Sequence, residues 1–210
     1  MNLSLLVHTF NKYQFLWPGS LEAWKLVYTE TIPFYWGTDE PAHGKYDFGK
    51  FQLLYSGKNQ WSDRLLTLLN HIKTDYVLYA QEDHWPTAKP PDLREMMQIM
   101  NKKGLKRLQL SPIVQFYSLV GSEFPLYFHQ KSKYLVSHQP SIWDRKFFIS
   151  CLERGQSPWI NEYEGSKTLS LMPEIQGKIA IWPCNWFHHA CIKGKLIEPQ
   201  KSPALAGLIG

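Results

Sequence analysis

Cysteine is scarce in this chain of 210 residues: Cys151, Cys184 and Cys191 are too few and too scattered for a disulfide framework or a zinc spacing. Their odd number fits a reducing compartment. No apolar run approaches the length of a membrane span. The N-terminal MNLSLLVHTF lacks the basic flank and the long apolar core of a secretory signal. These absences predict a cytoplasmic chain without a transmembrane segment. Lysines and arginines are scattered rather than run together, which argues against nucleic acid as a partner. Neither the glycine-rich dinucleotide fingerprint nor a Walker A loop is present, so a bound nucleotide would need its phosphates neutralised by a metal ion and isolated cations. Internal repeats and low-complexity tracts are also missing.

What remains is the composition of a globular domain with a sizeable core: 44% hydrophobic and 20% charged residues. The formal net charge of +5 favours an anionic partner. Aromatic residues make up 15% of the chain, nine of them Trp, enough both to pack a core and to line a site for ring-shaped ligands.

Apolar runs at 3–7, 32–36, 51–55 and 76–80 predict strands. Segment 12–27, interrupted by Pro18-Gly19, and the leucine stripe Leu65, Leu66, Leu68, Leu69 and Ile72 behind a Ser62 N-cap predict helices between them. This alternation predicts an α/β fold with a mixed, mainly parallel sheet flanked by helices. The second half predicts helices at 91–103 and 144–153, and strands near 106–110, 125–128, 133–138 and 178–182. The expected organisation is one domain over 1–200, with a nucleotide-binding half (1–86) and an acceptor-binding half (87–200). Residues 201–210 read as a tail or linker.

In such a sheet ligands gather beyond the carboxyl ends of the strands. Thr9-Phe10-Asn11, Thr38-Asp39-Glu40, Ser56-Gly57-Lys58-Asn59 and Gln81-Glu82-Asp83-His84 all fall there. The last has the oxygen donors that suit Mg2+ or Mn2+, although the same residues also describe a solvated turn. Arg64 near a helix start and Lys193 and Lys195 around Gly194 are candidate phosphate contacts, and equally ordinary surface cations. His188 or His189 offers an imidazole to a metal held by Asp83. Glu162 and Glu164, set among aromatics before Gly165-Ser166, are candidate general bases, against the plain reading of acids in a helix first turn.

The ordered segments TFN, GTDE, YSGKN, DYVLYAQEDHW, QPSIWDRKFF, SPWINEYEGS and HHACIKGK resemble, across residues 3–196, the small GT-A-fold, family 2-like glycosyltransferases of bacterial surface-polysaccharide and large DNA virus glycan gene sets. The resemblance implies a Rossmann-related, GT-A-like fold. It also implies an acidic motif whose last acid, Asp83, ligates Mn2+ or Mg2+. Gln81 stands where the family carries its first acid, so Glu82 is its expected substitute. Thr9, Phe10, Asp39, Arg64, Glu82 and Lys193 are then expected to contact the nucleotide sugar, with a UDP-sugar favoured. Gln139, Ser141, Trp143 and Trp159 would form a wall between donor and acceptor. Glu162, with Glu164 as fallback, is the implied base of an inverting transfer to a glycan or lipid-linked acceptor. Two other readings of the same residues are a metal-dependent phosphohydrolase or nucleotidyltransferase and a non-catalytic carbohydrate-binding module.

Overall fold

The structure, a computed structural model, describes residues 2–42, 46–112, 119–123, 126–129, 133–192 and 195–197. Its first half builds β1 (Leu3–His8), α1 (Trp17–Trp24), β2 (Phe34–Thr38), β3 (Gln52–Tyr55), α2 (Trp61–His71) and β4 (Tyr76–Gln81). There follow β5 (His84–Pro86), α3 (Leu93–Lys103), β6 (Arg107–Ser111), β7 (Leu119–Glu123), β8 (Leu126–His129) and β9 (Ser141–Asp144). The chain continues through α4 (Arg145–Ser150), α5 (Pro158–Ser170), β10 (Ile179–Pro183), β11 (Phe187–His189), β12 (Cys191–Ile192) and β13 (Lys195–Leu196).

Nine strands make one sheet in the order β3-β2-β1-β4-β9-β6-β10-β8-β7. β1, β2, β3 and β4 run parallel, as do β6 and β10. β9 inserts antiparallel between β4 and β6, and β8 lies antiparallel to β10 and β7. Every strand except β8 and β9 therefore points the same way, which is the mixed, mainly parallel sheet expected. The chain leaves β1 towards β2 on one side and β4 flanks it on the other, so a crevice opens at the carboxyl ends of β1 and β4.

The pleat of β1 sorts the core. Leu3, Leu5 and Val7 face a cluster filled by α1 and α3, whereas Leu6 faces one filled by α2, α4 and α5. Helices thus cover both faces, and the central strands are buried on both sides as their continuous apolar runs require. Trp143 belongs to this core: it has no exposed surface and stacks on Phe148 at 4.3 Å.

Several boundaries differ from the sequence reading for identifiable reasons. Segment 12–27 is not one helix but 3-10 turns on either side of α1, and Pro18 sits in the first turn of α1, where its missing N–H costs nothing. Gly19 is required by packing, because a Cβ there would lie 2.0 Å from the Trp85 ring. The N-cap position of α2 is Gln60, two residues before Ser62. The Ser62 hydroxyl instead accepts the Gln156 N–H at 3.0 Å and ties α2 to the loop before α5. Segment 133–138 is not a strand; side chains from α5 and β6 take its backbone groups, and β9 fills the slot beside β4. α5, read from sequence as acids set among aromatics with a helix first turn as the plain alternative, is a helix of 13 residues with Ser157 as N-cap and Pro158 in its first turn.

Candidate functional site

A cleft of about 640 Å3 opens at the carboxyl ends of β1 and β4. His8, Thr9 and Phe10 enter it from the end of β1, and Gln81, Glu82 and Asp83 from the end of β4. Trp61 and Arg64 come from the first turn of α2, Pro158 and Trp159 from the first turn of α5, and His189 and Cys191 from the segment after β10. Two helix N-termini therefore face the same space, an arrangement suited to anions.

The wall formed by β1 and α2 is a cation on an aromatic. The Arg64 guanidinium lies 4.2 Å from the centre of the Phe10 ring and donates to the Thr9 carbonyl at 3.4 Å. Arg64 is 5% exposed, and its Nε has no hydrogen-bond partner. The Thr9 hydroxyl donates to the Gly37 carbonyl, so it braces β1 against β2. Asp39 lies just beyond, accepting the Asn11 N–H at 2.8 Å and a hydrogen bond from the Thr38 hydroxyl.

The acidic motif separates into unlike parts. Gln81 donates to the Tyr79 hydroxyl at 3.3 Å. Glu82 is buried, and desolvation together with the neighbouring Asp83 charge pushes its carboxyl up to about 8. Burial thus favours its neutral form over its charged one. Asp83 behaves oppositely: burial raises its carboxyl, but its close contacts with the His84 and His189 imidazoles outweigh this and hold it well below the usual range. Its Oδ2 meets His189 Nε2 at 2.8 Å, and its Oδ1 lies 3.0 Å from His84 Nδ1. The second contact is an ion-pair approach without hydrogen-bond alignment, since both atoms lack hydrogen-bond partners.

The antiparallel pairing of β5 with β11 sets His84 opposite His189 and His188 opposite Trp85. Alternation along β11 thus places His189, and not His188, beside Asp83. Donor atoms of Asp83, His84 and His189 all lie within 4.8 Å of one another. Asp83 Oδ1 and both His84 nitrogens are buried without a hydrogen bond, Oδ1 and Nδ1 meeting only as the 3.0 Å ion-pair contact, which is the chemistry of a site able to accept a divalent cation.

Glu162 lies one turn into α5, at the spacing that shares a helix face with Pro158 and Trp159, but it is not itself among the residues lining the cleft. Burial raises its carboxyl, moderated by the His138 N–H, by the charge of Arg107, and by Ser137. Its Oε1 accepts the His138 N–H at 2.7 Å. Glu164 lines a different hollow of about 390 Å3 between α4 and α5, away from the cleft. Trp159 is 76% exposed at the mouth. The wall expected from Gln139, Ser141 and Trp143 does not form as such. Trp143 is core, and Ser141 is fully buried, accepting from Arg107 Nε and donating to the Gln139 carbonyl. Lys193 lies outside the described residues.

His8, Tyr13, Leu16, Trp61 and Cys191 also line the cleft and were not singled out by sequence. Trp61 had one signal: it follows the Ser56–Asn59 turn at the start of the most regular helix. His84 had its adjacency to Asp83.

No protein-family model matches the sequence, and no curated protein matches it either. Solved structures do. S. aureus TarS superposes with a TM-score of 0.58 at 12% identity, over 100% of this chain and 39% of that one. The fold is GT-A-like. The structure of S. aureus TarS 1-349 in complex with UDP-GlcNAc matches with a TM-score of 0.55 at 13% identity, over 100% of this chain and 72% of that chain. The complex with UDP gives 0.57 and 12%, over 100% and 64%. The chain therefore spans well under half of the first TarS chain, and at this identity the likeness is one of fold. Among the described residues no helix is long and apolar enough to cross a membrane.

Proposed function

We propose that the chain is a nucleotide-sugar glycosyltransferase, with a UDP-sugar as the favoured donor and a glycan or lipid-linked hydroxyl as acceptor. One observation carries this reading. The cleft with its carboxylate–imidazole cluster sits at the β1/β4 crevice of a fold shared with a protein solved with UDP-GlcNAc and UDP.

In this reading Phe10, Arg64 and Asp39 hold the nucleoside end, and the Arg64 charge and the α2 N-terminus meet the phosphates. Asp83 and His189 hold a divalent cation, Mn2+ or Mg2+. When bound, that ion offsets the negative charge that builds on the departing nucleotide diphosphate. Glu162 acts as general base. The acceptor hydroxyl gives its proton to the Glu162 carboxylate while its oxygen forms a bond to the anomeric carbon. The bond from that carbon to the diphosphate oxygen breaks, and its electron pair leaves with the nucleotide diphosphate. Such a direct displacement inverts the anomeric centre. Trp159 supplies an exposed aromatic face on which a sugar ring can stack at the cleft mouth.

The test is a thermal-shift screen of UDP-, GDP- and dTDP-sugars with and without Mn2+, followed by product analysis with candidate acceptors. A donor that binds the folded state alone raises the melting temperature with its occupancy. The reading fails if no nucleotide sugar shifts the transition. Phosphate-bond cleavage with no sugar moved to an alcohol would favour a phosphohydrolase instead.

A further inference from the structure

The carboxylate–imidazole cluster is richer in nitrogen than the expected oxygen site. His84 and His189 are cross-strand partners on the β5–β11 ribbon, their rings parallel within 7° and 4.8 Å apart. Asp83 immediately precedes β5, and its carbonyl accepts the Ala190 N–H at 2.7 Å, pinning the ribbon's end to the acid. The three side chains are therefore brought together by backbone pairing rather than by chance surface contact.

His84 is the telling member. It is 4% exposed, its Nε2 makes no hydrogen bond, and its Nδ1 meets only Asp83 Oδ1, at 3.0 Å and without hydrogen-bond alignment. A buried ring nitrogen without a partner is costly unless a ligand or an ion pairs with it. Imidazole nitrogens are good ligands for Co2+, Ni2+, Cu2+ and Zn2+, whereas Mg2+ demands oxygen and gives up its water reluctantly. Asp83 and His189 also line the cleft, so an ion held here is reachable from it.

We propose that Asp83, His84 and His189 together ligate one transition-metal ion through one carboxylate and two imidazoles, in preference to Mg2+. The use of that ion in catalysis rests on the nucleotide-sugar reading; its binding does not, and the test is made without nucleotide.

The untagged full chain is titrated calorimetrically with Co2+, Zn2+ and Mg2+. One Co2+ or Zn2+ ion should bind more tightly than Mg2+ by more than about tenfold, or about 1.4 kcal/mol. Equal or tighter Mg2+ binding overturns the preference. Pulsed electron paramagnetic resonance of the Cu2+-loaded protein then counts coordinated imidazoles. Two are expected in the wild type, and one each in His84→Gln and His189→Gln. A single imidazole in the wild type, or two retained in His84→Gln, overturns the role of His84. The wild-type measurement stands even if the buried His84 variant fails to fold. Loss of nucleotide-sugar binding with the two-imidazole signal intact would refute the functional reading alone.

Discussion

The backbone N–H of His138 donates to Glu162 Oε1 at 2.7 Å, joining the segment that replaces a predicted strand to the helix that carries the proposed base. The same segment is fastened one turn further along, where the Ser166 hydroxyl accepts the Val136 N–H at 2.9 Å and donates to the Val136 carbonyl at 3.2 Å. Asn161 completes the seam through His138 Nε2 at 3.0 Å. Glu162 is thus fixed by an anchored neighbour rather than extended into solvent.

Glu162→Gln should keep donor binding and lose transfer. The amide oxygen can still accept the His138 N–H, so the fold is spared, but the group can no longer take a proton. Transfer should fall by about 10²–10⁴-fold, the usual worth of a general base. Burial raises the carboxyl, so the acidic limb of the wild-type rate profile should lie above the ordinary carboxylate range. The rate is lost as pH falls through that limb, because the base must be ionised. Rates across pH, with donor affinity measured calorimetrically, decide this; unimpaired transfer by Glu162→Gln would remove it as the base.

Gly165→Ala should loosen the seam. A Cβ at Gly165 would stand 2.9 Å from Val136 Cγ2, so α5 or the 135–138 segment must shift. Overpacking of this kind costs about 1–3 kcal/mol. Ser166→Ala removes the partner of the buried Val136 N–H and should cost a similar amount, about 1–3 kcal/mol. Urea melts should show both losses, and kcat should fall more than donor affinity.

The strands and the covered helices of the first half were readable from sequence because their apolar residues recur with the period of the element. Leu65, Leu68 and Leu69 mark one face of α2, and the run at 76–80 marks a strand buried on both sides. β9 and α5 were not readable. The Ser141–Asp144 run is short, and its antiparallel slot between β4 and β6 depends on partners far away in sequence. α5 alternates large exposed hydrophobic residues with buried polar ones, Trp159, Ile160 and Tyr163 against Asn161 and Ser166, which defeats an apolar-stripe reading. In the site, Asp83 and the pair His188 or His189 could be named from composition, but the choice of His189 and its pairing with His84 belong to the β5–β11 register. Trp143 could not be told from a site tryptophan until its stacking on Phe148 was seen.

Asp83→Asn should uncouple the cation from the donor. The amide lacks the negative charge that holds His189 and an ion, while the shape of the turn is kept by the Ala190 to Asp83 backbone bond. Thermal shifts with a UDP-sugar should then be the same with and without Mn2+. A variant that still gains stability from Mn2+ plus donor as the wild type does would place the ion elsewhere.

His138 should make the protein acid-sensitive. It is buried among Trp61, Tyr79, Phe148 and the Arg107 charge, and burial, then Arg107, lower its imidazole to about 3 from 6.5, while the Asn161 contact opposes this slightly. His8, on the neighbouring strand, is lowered in the same direction by burial, Arg64 and His138. A depressed folded value means the unfolded chain binds the proton first. The stability His138 contributes is complete above about pH 6.5 and is lost as pH falls towards 3, on the order of a few kcal/mol, and that of His8 is lost in the same direction. The raised carboxyls of Glu82 and Glu162 act in the opposite sense, stabilising as pH falls, so the whole curve mixes both. The comparison that isolates His138 is His138→Gln, whose amide can still donate to Asn161 Oδ1. Urea-unfolding free energies from pH 7.5 to about 4 should decline less steeply in that variant than in the wild type. Parallel curves would mean that His138 titrates alike in the folded and unfolded chain, against the lowering its burial imposes.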